Sequence, residues 1–183
     1  AITTFTTLAL AVPLPATLHA QAGALITLVM PAGQFGSDKF TDLLVNSLGA
    51  AKGFCGALDQ AYRVDCLADQ IDQLAKDIPA DSDYAEMRGI LEQTSKDMQS
   101  LARANRDAAK PRQRASAGGS GTSRPLTPVR DASLASINQQ ATAILERTET
   151  LLLRTPDDDT GKKLHYTRIA EAIGSNKTLL RST

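Results

Sequence analysis

A chain of 183 residues with zero formal net charge and 42% hydrophobic residues accommodates one domain, and its three Tyr, four Phe and absent Trp exclude a core built on large aromatics. The charge is unevenly spread: Asp59 to Gln99 holds ten acids and four bases, whereas Ser100 to Arg130 holds seven bases and one acid. Two cysteines are too few for a disulfide framework and, with His165 alone, for a structural zinc site; no run of roughly eighteen clean apolar residues marks a membrane-spanning helix.

The first charged residue is Asp38. Ahead of it, Phe5 to Leu18 resembles the apolar core of a secretory signal. Ala20-Gln21-Ala22, or Leu18-His19-Ala20, offers a small-x-small cleavage site. Residues 1–22 are therefore predicted to be a signal peptide and the protein to be periplasmic or secreted. Pro13 and Pro15 interrupt an uncleaved spanning helix near its middle, so no integral membrane protein is expected once the signal is removed.

Residues 23–56 read as an apolar arm and a short helix. Ala24 to Met30 is apolar and bounded by Gly23 and Pro31. With no second strand-like run to pair with, it is expected to be a buried extended arm or short helix; the sharper alternative is an arm that docks on another protein. Gly33 to Gly36 makes a loop, and Ser37 is placed to cap a helix from Asp38 to about Ala50. Phe40, Leu43, Leu44 and Leu48 form its buried side, and Gly49 and Gly53 are end signals.

Cys55 and Cys66 would share a face of one continuous helix but lie about 16 Å apart along it, whereas a disulfide needs Cα atoms within roughly 7 Å. Either the chain folds back between Gly53 and Gly56 or the two thiols stay free. Export favours the oxidised pair. No C-x-x-C and no neighbouring His or Lys run lowers a thiol pKa, so redox catalysis is the weakest reading.

Residues 57–109 are predicted to form a helical hairpin. Val64, Leu67, Ile71, Leu74 and Ile78, then Tyr84, Met87, Leu91, Thr94, Met98 and Leu101, step by three and four, which sets each group on one helix face. Pro79 stops the first helix, and Asp83 with Glu86 has the spacing of a capping box for the second. Asp65, Asp69, Asp72, Lys76, Asp77, Arg88, Glu92, Lys96 and Asp97 read as a solvated outer face. The like charges on the first helix are mildly unfavourable, and a basic partner would relieve them.

Residues 110–130 carry Gly, Pro, Ser and Thr among five bases, with no acid and no aromatic, and are predicted to be a flexible basic linker. An anionic surface is one partner for it. Nucleic acid is not expected, because stacking aromatics are missing. A connector that lies back on the acidic hairpin is the preferred reading.

In residues 131–183 the pattern returns as a second hairpin. Leu134, Ile137, Ala141, Ile144, Thr148 and Leu151 form one stripe. Pro156 and the Asp157–Asp159 turn follow. Leu164, Ile169, Ala172 and Ile173 form the apolar side of a helix ending at Gly174, with Leu179 and Leu180 as a last packed turn. The Asp turn is a poor calcium loop, because the twelfth position from Asp157 is Arg168 and not Glu. His165 beside Tyr166 lacks a carboxylate or nucleophile at working spacing. Asn176-Lys177-Thr178 matches a glycosylation acceptor, a short pattern with a high chance rate. Thr94 and Thr148 are polar positions on apolar seams, either ordinary core threonines or register-setting residues.

The fold expected is all-α: an antiparallel bundle of two helical hairpins, about four main helices, plus a short N-terminal helix, joined by the basic linker. The function expected is that of an exported, non-enzymatic protein acting through contact with an unknown protein partner or with itself, and without a cofactor. The alternative is a small-ligand or lipid binder with its ligand between the hairpins. Cys55 and Cys66 are expected as a disulfide.

Overall fold

The computed structural model describes residues 37–155 and 160–181. The predicted signal, the apolar arm, the loop at 33–36 and the turn at 156–159 lie outside the described residues.

Five long helices carry the fold: α1 (Asp38–Gly56), α2 (Gln60–Asp77), α3 (Ala85–Ala104), α4 (Leu134–Arg154) and α5 (Thr160–Ser175), followed by a short α6 (Lys177–Arg181). Each long helix packs on the next, and α5 returns to α1, so the five close a ring around one continuous core. The protein is thus an all-α bundle. One correction concerns α1, which is not a short accessory helix but runs for 19 residues. Ser37 caps it, its Oγ accepting the Phe40 N–H at 3.3 Å. Gly49 and Gly53 do not end it. Each glycine costs a helix about 1 kcal/mol relative to Ala, but Leu44, Leu48, Ala51, Phe54 and Cys55 extend a buried stripe past both positions, and packing outweighs propensity.

The α2–α3 seam is the one the spacing predicts. Its residues from Val64 to Met98 are at most 6% exposed, with Leu101 at the half-buried end. Ser95 Oγ donates to the Ala68 carbonyl at 2.7 Å where these two small residues let the helices approach. The expected capping box at Asp83 and Glu86 does not form. α3 starts behind Tyr84, which makes no side-chain cap, and Ser82 Oγ accepts the Tyr84 N–H at 3.3 Å. Tyr84 is pulled inward instead. Its ring lies edge-on to Phe40 and stacks on Tyr166 with centroids 5.8 Å apart, and that burial sets where the helix begins.

On α4 the predicted stripe is rotated. The buried positions are Ile137, Asn138, Ala141, Leu145, Thr148 and Leu152; Ile144 is half-buried and Leu151 exposed. Apolar residues stand side by side at 144–145 and 151–153, so two faces satisfy the spacing and packing against α3 and α5 selects between them. On α5 the inward residues are His165, Tyr166, Ile169, Ala170 and Ile173, while Leu164 points outward. Gly174 does not end α5. It lies within the helix where a Cβ would stand 3.0 Å from the Glu149 carboxylate, which binds Lys177 Nζ at 2.8 Å. Asn176 is fully buried, its Nδ2 donating to the Ala172 and Leu48 carbonyls, so the glycosylation pattern is closed to a glycan in the folded chain.

Thr94 and Thr148 meet across the α3–α4 seam, Oγ1 to Oγ1 at 2.6 Å, both buried. Each also approaches the carbonyl one turn back, Ile90 and Ile144. Two hydroxyl protons serve three contacts, so one carbonyl contact yields when the threonines bond to each other. Thr94→Val is expected to cost about 1 kcal/mol, and Thr94→Val with Thr148→Val less than twice that, because the shared hydroxyl–hydroxyl bond is lost only once. Denaturant unfolding of the two single variants and the double variant checks it; simple additivity would remove the register-setting role.

Candidate functional site

Asp65 and Asp69 lie one turn apart on α2. Both read as solvated from sequence, yet both are fully buried. What buries them is the connector. Residues 106–129 fold into a long irregular hairpin, with bridges Arg106–Val129 and Gln113–Leu126 and a tip formed by β1 (Ser116–Ala117) and β2 (Ser120–Gly121). Gly118 and Gly119 at the tip have φ of 57° and 85°, which the tight two-residue turn requires and L side chains resist. This arm lies on α2, so the connector is corrected from flexible to docked. The composition misleads because the arm takes its order from α2 and not from its own residues.

The contacts follow α2 turn by turn. The Val129 N–H donates to the Ala61 carbonyl at 2.9 Å. Asp65 accepts both terminal nitrogens of Arg124 at 2.7 and 2.8 Å and the Thr127 N–H at 2.6 Å. Asp69 accepts the Ser123 N–H at 2.8 Å, its hydroxyl at 2.5 Å and Gln73 Nε2 at 2.8 Å. Gln70 and Gln73 donate to the Gly121 carbonyl at 3.0 and 3.1 Å. Bonding to Asp65 raises the Arg124 pKa further above its ordinary value, against the opposing effect of partial burial. The basic partner that the like charges on α2 called for is therefore Arg124. Arg106, Arg112, Arg114 and Arg130 stay exposed on the outer side of the arm.

Where the arm's tip overhangs α1 and α2 it leaves a groove of about 420 Å³. Its apolar lining includes Leu48, Ala51 and Leu74; its polar lining includes Ser47, Gln70, Gln73, Asp77, Ser120 and Ser123. Sequence reasoning missed this groove because the arm builds one wall of it. One signal was present: Asp77 ends α2, and an acid in the last turn opposes the helix dipole.

His165, the candidate acid or base, is occupied structurally. Its Nδ1 bonds Thr41 Oγ1 at 2.7 Å and its ring meets Tyr84 edge-on, tying α5 to α1 and α3. The neighbouring Tyr166 is fully buried, and burial pushes its pKa up to about 12. Cys55 and Cys66 form a disulfide with Cα atoms 5.7 Å apart. The fold-back comes just after Gly56, at residues 57–59, which sets the last turn of α1 against the second turn of α2.

A second groove, of about 410 Å³, lies between α3 and α4, lined by Gly89, Ile90, Thr94, Ile144, Thr148 and Leu151 with charged side chains at its edges. The exposed large hydrophobics among the described residues are Leu151, Leu153 and Leu164, at 46%, 47% and 55%. All three lie at the end of the bundle where α4 finishes and α5 begins.

No protein-family model, curated protein or solved structure matches the chain. Among the described residues no helix is long and apolar enough to cross a membrane.

Proposed function

We propose that the protein is an exported, non-enzymatic helical bundle that acts through protein contact, and that the α3–α4 groove receives an amphipathic helix of another protein. The observation that carries this is Leu151, 46% exposed where it lines the groove, among described residues whose large apolar side chains, Leu153 and Leu164 aside, are otherwise covered or half-covered. A cleft between two helices, apolar along its length and polar at its rims, matches the helix-in-groove mode of recognition. Export is supported by the disulfide, which oxidising compartments favour, together with the signal-like start. A non-enzymatic role is supported by where the reactive side chains are spent: both thiols in the disulfide and His165 on Thr41.

Leu151→Lys is expected to leave stability within about 0.5 kcal/mol, since the site is exposed, and to abolish the contact. A photo-crosslinker at Gln93, on the groove's edge, checks this in the source cell. An adduct of one defined mass that disappears with Leu151→Lys supports the proposal. An adduct of twice the chain's mass reassigns the occupant to a second copy. A compact monomer without any adduct overturns it.

A further inference from the structure

We infer that the groove between α1, α2 and the arm's tip is a binding site for a primary ammonium on an aliphatic stem, with Asp77 as its counter-charge. This goes beyond the protein-contact reading and rests on different residues.

The carboxylate of Asp77 is poorly placed on its helix. Asp77 is the last residue of α2, where the helix dipole presents its negative end. It has no hydrogen-bond or ion-pair partner among the described residues, while the adjacent Lys76 is committed to Asp72 at 2.6 Å. Asp77 is solvent-exposed overall, and the partial covering it has at the groove pushes its carboxyl above the usual range, with no cation paired to it to offset that. Elsewhere on α2 the deeply buried carboxylates, Asp65 and Asp69, are fully paired. An unpaired negative group at a groove's mouth, set against the helix dipole and partial desolvation, is what a site for a cation looks like before the cation arrives.

The rest of the lining agrees. Gln70 and Gln73 give their Nε2 hydrogens to the Gly121 carbonyl, which fixes each amide. Their carbonyl oxygens are acceptors with no donor among the described residues. With the Ser47 and Ser120 hydroxyls, the groove is rich in acceptors around a single negative charge. An ammonium has three donors and no acceptor. Leu48, Ala51 and Leu74 supply an apolar surface for its stem, and a space of about 420 Å³ falls within the range of small-ligand sites. Such an ammonium comes from a free alkyl amine or from the lysine side chain of a protein.

The test is nitrogen–proton correlation spectroscopy of the full chain with three probes: 1,4-diaminobutane, an acetylated and amidated Ala-Lys-Ala peptide, and butanol as the uncharged control. Saturable shifts confined to Gln70, Gln73, Asp77 and Ser120 to Ser123, weakened about tenfold or more by Asp77→Asn, support the site. Saturation by the diamine alone assigns it to free amines; tighter saturation by the peptide assigns it to a protein lysine. Butanol matching the cations, or Asp77→Asn leaving their affinity unchanged, overturns it, as does the lack of any saturable shift. Asp77→Asn also has a readout without ligand. A carboxyl whose folded pKa is raised favours folding at acid pH and loses that contribution as pH rises through the folded value. The variant is therefore expected to be more stable than the parent at neutral pH, with the difference vanishing as pH falls below the carboxylate range. Thermal melts across that window keep the binding result interpretable, because the variant stays folded.

Discussion

Asp65→Ala is expected to cost about 3–5 kcal/mol of folding stability, the range for removing one partner of a buried ion pair. For a chain of this size that corresponds to roughly 6–20 °C in Tm. The expectation rests on the environment of Arg124 and not on the carboxylate alone. The Arg124 side chain is 23% exposed and was recruited to Asp65 and Asp69, which are both fully buried. Without Asp65 its terminal nitrogens lose both short bonds, and the Thr127 N–H, in a fully covered stretch, loses its acceptor. Arg124→Ala is expected to cost less, because water reaches that side of the pair. The double variant should fall well short of the sum, since the two residues act as one unit. A second readout separates arm release from global unfolding. Trypsin has targets at Arg112 and Arg114, whereas Pro125 protects the bond after Arg124; with the pair broken, cleavage at those two should precede unfolding of the ring. A loss below about 1 kcal/mol with unchanged cleavage would mean that the arm is held without the pair, by Val129, Leu126 and the bonds of Ser123 and Gly121 to Asp69, Gln70 and Gln73.

That pair also shows what a sequence conveys and what it withholds. The α2–α3 seam was legible because its information is local: steps of three and four determine a helix face whatever lies opposite. The connector's return to the acidic hairpin was legible as charge balance. Its order was not, because Asp65 and Arg124 are separated by 59 positions and neither residue alone reports burial. The same limit explains α4, where neighbouring leucines and isoleucines allow two stripes and α3 and α5 decide between them. It explains the groove too, since Asp77, Gln73 and Ser120 converge only when the arm is docked. That Thr94 and Thr148 are polar seam positions was legible from the pattern, but that they meet each other at 2.6 Å was not.

Loss of the Cys55–Cys66 bridge is the second large effect, expected at about 2–3 kcal/mol for a loop of eleven residues. Part of this acts through the unfolded chain, which the bridge restricts. Part of it concerns α1 itself. Gly49, Gly53 and Gly56 weaken its C-terminal half, and the bridge pins that half to α2 across the three-residue turn. Amide exchange over residues 49–56 should therefore rise more in Cys55→Ala with Cys66→Ala than anywhere else in the ring. Ala50 and Ala51 line the α1–α2–arm groove, so amine binding there should weaken with it. Both cysteines are fully buried, and a reductant must wait for the structure to open. Alkylation of the native protein in excess reductant is expected to be slow and to accelerate with denaturant in step with unfolding. Fast alkylation under native conditions, with unchanged exchange along α1, would show the bridge to be a bystander. Slow alkylation with a weakened α1 in the variant would instead tie the stability of the groove to the oxidised state of the bridge.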